Sequence, residues 1–277
     1  MSGRRAPYVP IDPRGWRLTM GLRPLEDSDW LDVDEHRDEE LALKRGLLDT
    51  SRSAVVATRP GGDEGSAEVL DEVRRWLTTY HRDLVADAPD ASDEHPIVAA
   101  SRLVQEDLCV LVHSDAWRLE AACVCFPSRW DLSSKIGRTL DEIHGPVPGY
   151  DEELSGPTTS VFDRLRAERS FWRLNWSLLD IPDLFQPMSA RQSPGGDLEQ
   201  WHFRVERQTL RRLPTSDAIL FTIRTYVTSA AQMCRRVDGF ADLVVHALET
   251  APGPTQDYKG WRGVAERLRA SLDDASR

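Results

Sequence analysis

The sequence predicts an α+β protein with an antiparallel sheet in the middle of the chain and helical extensions at both ends. Three observations carry this expectation. Near residue 100 the apolar residues stop recurring at helical spacing and begin to alternate or run together as in strands. Two such runs flank Ser114-Asp115, and three more follow between residues 171 and 227. On either side of this region the apolar residues return to helical spacing.

The elements follow in order. Residues 1–30 are rich in Pro and Arg and end in Asp27-Ser28-Asp29, a cluster suited to capping a helix N-terminus. Residues 31–48 start acidic (Asp32, Asp34, Glu35) and finish basic (Lys44, Arg45), which suits a helix macrodipole. Arg-Pro-Gly-Gly at 59–62 breaks the chain, and 67–80 then forms an amphipathic helix through Val69, Leu70, Val73, Trp76 and Leu77. Residues 86–96 read as a polar loop. Residues 108–113 and 119–126 form a β-hairpin that Pro127 ends. Residues 133–144 read as one helix, stopped by Gly145-Pro-Val-Pro-Gly149, and a second helix spans 160–169. Strands at 171–179, 202–210 and 218–227 follow, with a Pro/Gly-rich crossing at 186–196, and helices at 229–249 and 258–272 close the chain.

Two strands, then helices, then three strands is the order of a PAS domain, so a PAS-like five-stranded antiparallel sheet is expected. The chain then divides into an N-terminal helical extension over 1–105 packed on the core, a PAS-like core over 106–228, and C-terminal helices over 229–277. A chain of 277 residues is long enough to bury one substantial core with such additions.

Composition narrows the function classes. A net charge of −11 opposes binding to a nucleic-acid backbone, which needs positive charge to displace counterions, and leaves small molecules or proteins as ligands. No apolar run approaches the roughly 20 residues of a membrane-spanning helix. The first twenty residues lack the apolar stretch of a secretory signal, so a cytoplasmic location is expected. Cys109, Cys123, Cys125 and Cys234 match no complete zinc or iron–sulfur spacing.

Alternation along the strands sorts polar side chains onto faces. Arg173, Asn175 and Ser177 share one face of their strand, as do Arg204, Glu206 and Gln208, and likewise Thr222 and Arg224. Leu174, Trp176, Leu178, Phe203, Val205, Phe221 and Ile223 occupy the opposite positions. If the strands pair with these sets aligned, one sheet face is apolar and the other carries an organised polar set; the plainer reading is a face that meets water. Arg207 falls on the apolar side, where a buried guanidinium needs an edge position or an anionic partner.

Several strings carry a family resemblance. They are Leu22-Arg-Pro-Leu-Glu-Asp-Ser-Asp-Trp30, Trp130-Asp-Leu-Ser-Ser-Lys-Ile-Gly-Arg138, Ile143-His-Gly-Pro-Val-Pro148 and Arg173-Leu-Asn-Trp176. Arg204-Val-Glu-Arg-Gln-Thr-Leu-Arg-Arg-Leu-Pro214 and Phe221-Thr-Ile-Arg-Thr-Tyr226 continue the series in the same order. Together they span most of residues 20–230, and the chain resembles the heme-dependent oxidative N-demethylase family, that is, a dimethylamine monooxygenase-like heme subunit. The resemblance implies a b-type heme (heme b) in the PAS-like core, use of O2, and removal of a methyl group from a secondary amine such as dimethylamine with release of formaldehyde. It also implies electrons from outside. With no clustered cysteines and no glycine-rich dinucleotide fingerprint, a separate flavin or iron–sulfur reductase is expected as partner.

A heme needs an axial ligand, an apolar slot and partners for its propionates. His144, in the string Ile-His-Gly-Pro-Val-Pro, is the expected iron ligand, with His113 and His202 next; the structural alternative is a histidine stabilised at a helix end. Lys135, Arg138, Arg173 and Arg207 are the expected cofactor-binding cations, although Lys135 and Arg138 also suit a solvated helix face. Glu206 is expected to bind the substrate ammonium, Arg224 to donate to bound oxygen, and Asn175 to join them as catalytic residues. Trp172, Trp176 and Trp201 suit either the heme slot or the ordinary core. A non-catalytic heme-binding sensor or interaction protein is the alternative to an enzyme, because fold alone does not establish catalysis.

Overall fold

A computed structural model of the chain describes residues 8–85, 93–188 and 200–275. The elements run β1 Arg23–Leu25, α1 Arg37–Thr50, α2 Arg52–Val55, β2 Val56–Thr58, α3 Asp63–Tyr80, α4 Arg82–Val85 and α5 Pro96–Ser101. The middle of the chain supplies β3 Asp107–His113, β4 Trp117–Cys123, α6 Leu140–His144, α7 Tyr150–Glu153, α8 Ser155–Arg164 and β5 Ser170–Leu179. It closes with β6 His202–Arg212, β7 Ile219–Ser229, α9 Ala230–Arg236, α10 Phe240–Thr250, α11 Gly253–Lys259 and α12 Val264–Ala275. The architecture is α+β, and no helix among the described residues is long and apolar enough to cross a membrane.

The sheet has seven strands in the order β1-β5-β6-β7-β3-β4-β2, all paired antiparallel, which corrects the expected five. The five expected strands all form and lie side by side. The two extra strands are three-residue pieces from the N-terminal region, one at each edge, and one contains Pro24, which only an edge strand tolerates. Runs this short carry no periodicity by which to recognise them.

Helix boundaries moved for local reasons. The single helix expected over 133–144 is broken: Leu132–Ser134 makes one 3-10 turn, Gly137 sits at φ 75°, and α6 starts only after the Thr139 cap. Val237, extended at φ −135°, ends the first part of the helix expected over 229–249, and Gly239 at φ 70° starts a second. The crossing at 186–196 and the loop at 86–96 lie largely outside the described residues.

Each sheet face is covered. One face packs Leu108, Val110, Ala121 and Leu220 against Trp30 and α1, α3 and α5. Further along that face, Trp176, Leu178, Phe203 and Val205 pack against α10 and α12 together with Trp201 and Trp261. The other face packs Cys109, Leu111, Leu210 and Ile219 against Leu140 of α6 and Phe162 of α8. The tryptophans at 176 and 201 are therefore core residues, and Trp172 lies under the Arg23 and Arg207 guanidinium groups.

Candidate functional site

Strand register decides which polar side chains meet. β5 and β6 pair Arg173 with Gln208, Asn175 with Glu206 and Ser177 with Arg204, and directly opposed residues share a face. Glu206 is the centre of this set. Asn175 Nδ2 donates to its Oε2 over 3.4 Å, Gln208 Nε2 donates to the same oxygen over 3.0 Å, and Arg204 Nε donates to Oε1 over 3.4 Å. Arg204 is itself only 1% exposed and is held by the carbonyls of Phe126 (2.5 Å) and Leu184 (3.2 Å) and by Thr225 Oγ1 (3.3 Å). The orientation of the Glu206 carboxyl group is fixed from three sides.

The helix ending in His144 packs on the same sheet face, since Leu140 and Ile143 join the cluster that contains Phe171, Leu210 and Phe221. A capping box starts this helix: Glu142 N–H donates to Thr139 Oγ1 (3.2 Å) and Thr139 N–H donates to the Glu142 carboxyl (2.8 Å). At its other end His144 Nδ1 lies 2.8 Å from the Leu140 carbonyl oxygen. A carbonyl only accepts, so the proton sits on Nδ1 and Nε2 keeps a bare lone pair. The ring stacks on Tyr150 at 4.8 Å and 17°. Gly149, at φ 82°, turns the chain into the helix that carries this tyrosine. Burial pushes the His144 pKa down, and the charges of Lys135 and Arg173 push it further, so the neutral ring is favoured.

Three cations border this region. Lys135 Nζ donates to the Ile143 carbonyl over 2.6 Å, and burial lowers its pKa. Arg173 Nη2 donates to the Thr19 carbonyl over 3.3 Å, while its buried Nε has no hydrogen-bond partner among the described residues. Burial lowers the Arg173 pKa and the Glu206 charge opposes this, so Arg173 is electrically coupled to both His144 and Glu206. Lys259 Nζ donates to the Trp176 carbonyl (3.1 Å) and to Ser177 Oγ (3.3 Å), and burial pushes its pKa down to about 8.

The remaining expectations are redistributed by register. Glu206 pairs with Thr225 and Arg207 with Arg224, so Arg224 and Thr222 lie on the face opposite Glu206, and Phe221 and Ile223 change places with them. The expected alignment was off by one residue on β7, and with a period of two that inverts the strand. Arg224 is fully buried against Asp34 (2.6 Å) and Glu40 (2.7 Å). Arg207 has the anionic partner that its position required: Nε lies 3.7 Å from Asp32, and its other nitrogens donate to the carbonyls of Trp30 (3.0 Å) and Asp29. Both arginines pin the N-terminal segment to the sheet. Arg138 turns outward and pairs with Glu142 at 3.3 Å, because the break at Gly137 separates it from Lys135. His113 is exposed at the end of β3 beside Trp117, and His202 is half-buried at the start of β6.

Lys259 and Tyr150 were not anticipated. Lys259 carries no sequence signal beyond an isolated lysine before Gly260; Tyr150 is foreshadowed only by the turn that precedes it. The donor set around His144 fits a heme: one anchored imidazole with Nε2 bare, partly exposed apolar side chains at Ile143, Phe171 and Phe221, and adjacent cations at Lys135 and Arg173. A family model described as haem-dependent oxidative N-demethylase, alpha subunit-like, matches residues 21–269.

Proposed function

Because the chain belongs to the haem-dependent oxidative N-demethylase, alpha subunit-like family, we propose that it holds a b-type heme through His144 in a PAS-like core and demethylates a small secondary N-methylamine such as dimethylamine. The observation that carries this reading is the pairing of two preorganised groups on one sheet face, the Nδ1-anchored His144 and the Glu206 carboxyl group fixed by Asn175, Gln208 and Arg204. Heme, when bound, supplies the reduction and activation of O2. Lys135 is the partner for its propionates.

The chain's own residues then bind and orient the amine. Glu206 accepts an N–H of the substrate ammonium, and Asn175 and Gln208 keep the carboxyl group from following the substrate. The overall change is oxidation of N–CH3 to N–CH2OH, with one oxygen atom of O2 inserted and the other leaving as water, at the expense of two electrons and two protons. Collapse of the carbinolamine breaks the C–N bond and gives the demethylated amine and formaldehyde. The two electrons come from a separate flavin or iron–sulfur reductase.

The test is to follow formaldehyde and electron consumption by heme-loaded protein with a chemical reductant, O2 and dimethylamine. Amine-dependent formaldehyde release supports the enzyme; stable O2 binding without amine-dependent consumption assigns the chain to the sensor class instead. Glu206→Gln removes a charge-assisted hydrogen bond, and KM for the amine is expected to rise about tenfold or more while heme stoichiometry stays constant. Heme loss in this variant would place Glu206 in the cofactor pocket.

The pH dependence of heme retention has a definite sign. Protonation of His144 competes with iron, and its pKa lies below the ordinary 6.5 because of burial and neighbouring positive charge. The neutral ring therefore persists as pH falls through that value, and the absorbance of histidine-ligated heme is expected to survive to lower pH. A release midpoint above 6.5 would contradict His144 as ligand.

A further inference from the structure

We infer that Arg173 and Lys259 form a carboxylate-binding subsite beside Glu206, so that the amine taken by this site is a zwitterion, an N-methyl amino acid, rather than a simple alkylamine. The inference rests on the amine-oxidising reading above and makes its substrate class specific.

The two faces of the sheet treat their cations differently. On the opposite face three arginines of β6 and β7 meet carboxylates: Arg207 meets Asp32 at 3.7 Å, Arg211 meets Asp27 at 2.7 Å, and Arg224 meets Asp34 at 2.6 Å. On the Glu206 face Arg204 has Glu206 and Asp107 as counter-charges. Arg173 and Lys259 have no carboxylate ion pair among the described residues. Arg173 has one carbonyl and a buried, unpartnered Nε; Lys259 has one carbonyl and one hydroxyl. Two half-buried cations without an anion leave a charge that a ligand carboxylate would balance.

Position and rigidity favour a ligand. Ser177, whose hydroxyl accepts from Lys259 over 3.3 Å, lies on the face of β5 that also carries Asn175 and Arg173, and Asn175 stands opposite Glu206; in keeping with this, the Glu206 charge raises, and the Arg173 charge lowers, the Lys259 pKa. The ammonium group of Lys259 stands 5.2 Å from the centre of the Trp16 ring and 5.1 Å from that of Trp261, which limits where it can swing. An arginine fork and a lysine point charge together suit a carboxylate, and the neighbouring Glu206 suits the ammonium of the same molecule. Arg173 also faces His144 electrically, so a heme propionate is the other source of such a carboxylate.

Calorimetric titration of heme-loaded protein with N-methylglycine, dimethylamine and acetate separates these cases. N-methylglycine is expected to bind about tenfold or more tightly than dimethylamine. Lys259→Met is expected to abolish that advantage without weakening dimethylamine binding, and Lys259→Arg to restore most of it. Equal affinity for the two amines in the wild type, or equal weakening of both by Lys259→Met, overturns the inference. Lower heme occupancy in Lys259→Met with the N-methylglycine advantage intact gives the carboxylate to the heme and overturns the substrate assignment. The same titrations on heme-free protein separate this inference from the family reading. Acetate binding that disappears in Lys259→Met supports the subsite even where no heme is taken up, whereas no binding of acetate or N-methylglycine to either form overturns it.

Discussion

His144→Ala protein is expected to lose histidine-ligated heme, with the bound-heme absorbance bands replaced by those of weakly held pigment and amine oxidation reduced by about two orders of magnitude or more. Removing only an outer-shell partner of a metal ligand typically costs 10–100-fold in affinity or activity, and here the ligand itself is removed. The structural cost is small by comparison: the side chain is half-buried, stacks on Tyr150 and makes one hydrogen bond to a carbonyl of its own helix. The variant should therefore remain folded, and circular dichroism beside the heme spectrum checks this. Unchanged heme ligation would move the ligand elsewhere, with His202 next to be replaced.

Arg224→Met is expected to destabilise the fold by about 3–5 kcal/mol, the usual cost of breaking a buried ion pair from one side. Its guanidinium is wholly buried between Asp34 and Glu40, and removal leaves two carboxylates without their cation. Glu106, whose pKa burial already pushes up to about 7, loses the same positive charge. The change corresponds to a fall in melting temperature of roughly 10 °C, measurable by calorimetry. The triple variant Arg224→Met, Asp34→Asn, Glu40→Gln is expected to recover part of the loss, because no uncompensated charge remains. Below the unfolding temperature Arg224→Met should keep its heme spectrum and its amine affinity. Loss of either in folded protein would return Arg224 to the functional site despite its position on the far face.

The difference between Arg224 and Glu206 shows how far alternation along a strand can be read. The sets Arg173/Asn175/Ser177 and Arg204/Glu206/Gln208 were legible because each lies on one continuous strand, and β5 and β6 pair them as one face. Whether β7 adds Thr222 and Arg224 or Thr225 depends on a register set by the connection and by packing on both sides, which no window of β7 contains. His144 was legible as a candidate through its string and the Pro-Val-Pro turn, but the hydrogen bond that bares Nε2 exists only once α6 is capped at Thr139.

The sequence by itself determined the α+β class, the five central strands, the helical flanks, the family and the shared face of the β5 and β6 polar sets, because these depend on local periodicity and on strings of neighbouring residues. The tertiary structure alone decided the edge strands β1 and β2, the assignment of Arg207 and Arg224 to clamping the N-terminal segment, and the arrival of Lys259 beside Ser177. Those contacts join residues far apart in the chain, and buried charges select their partners by proximity after folding rather than by spacing in sequence.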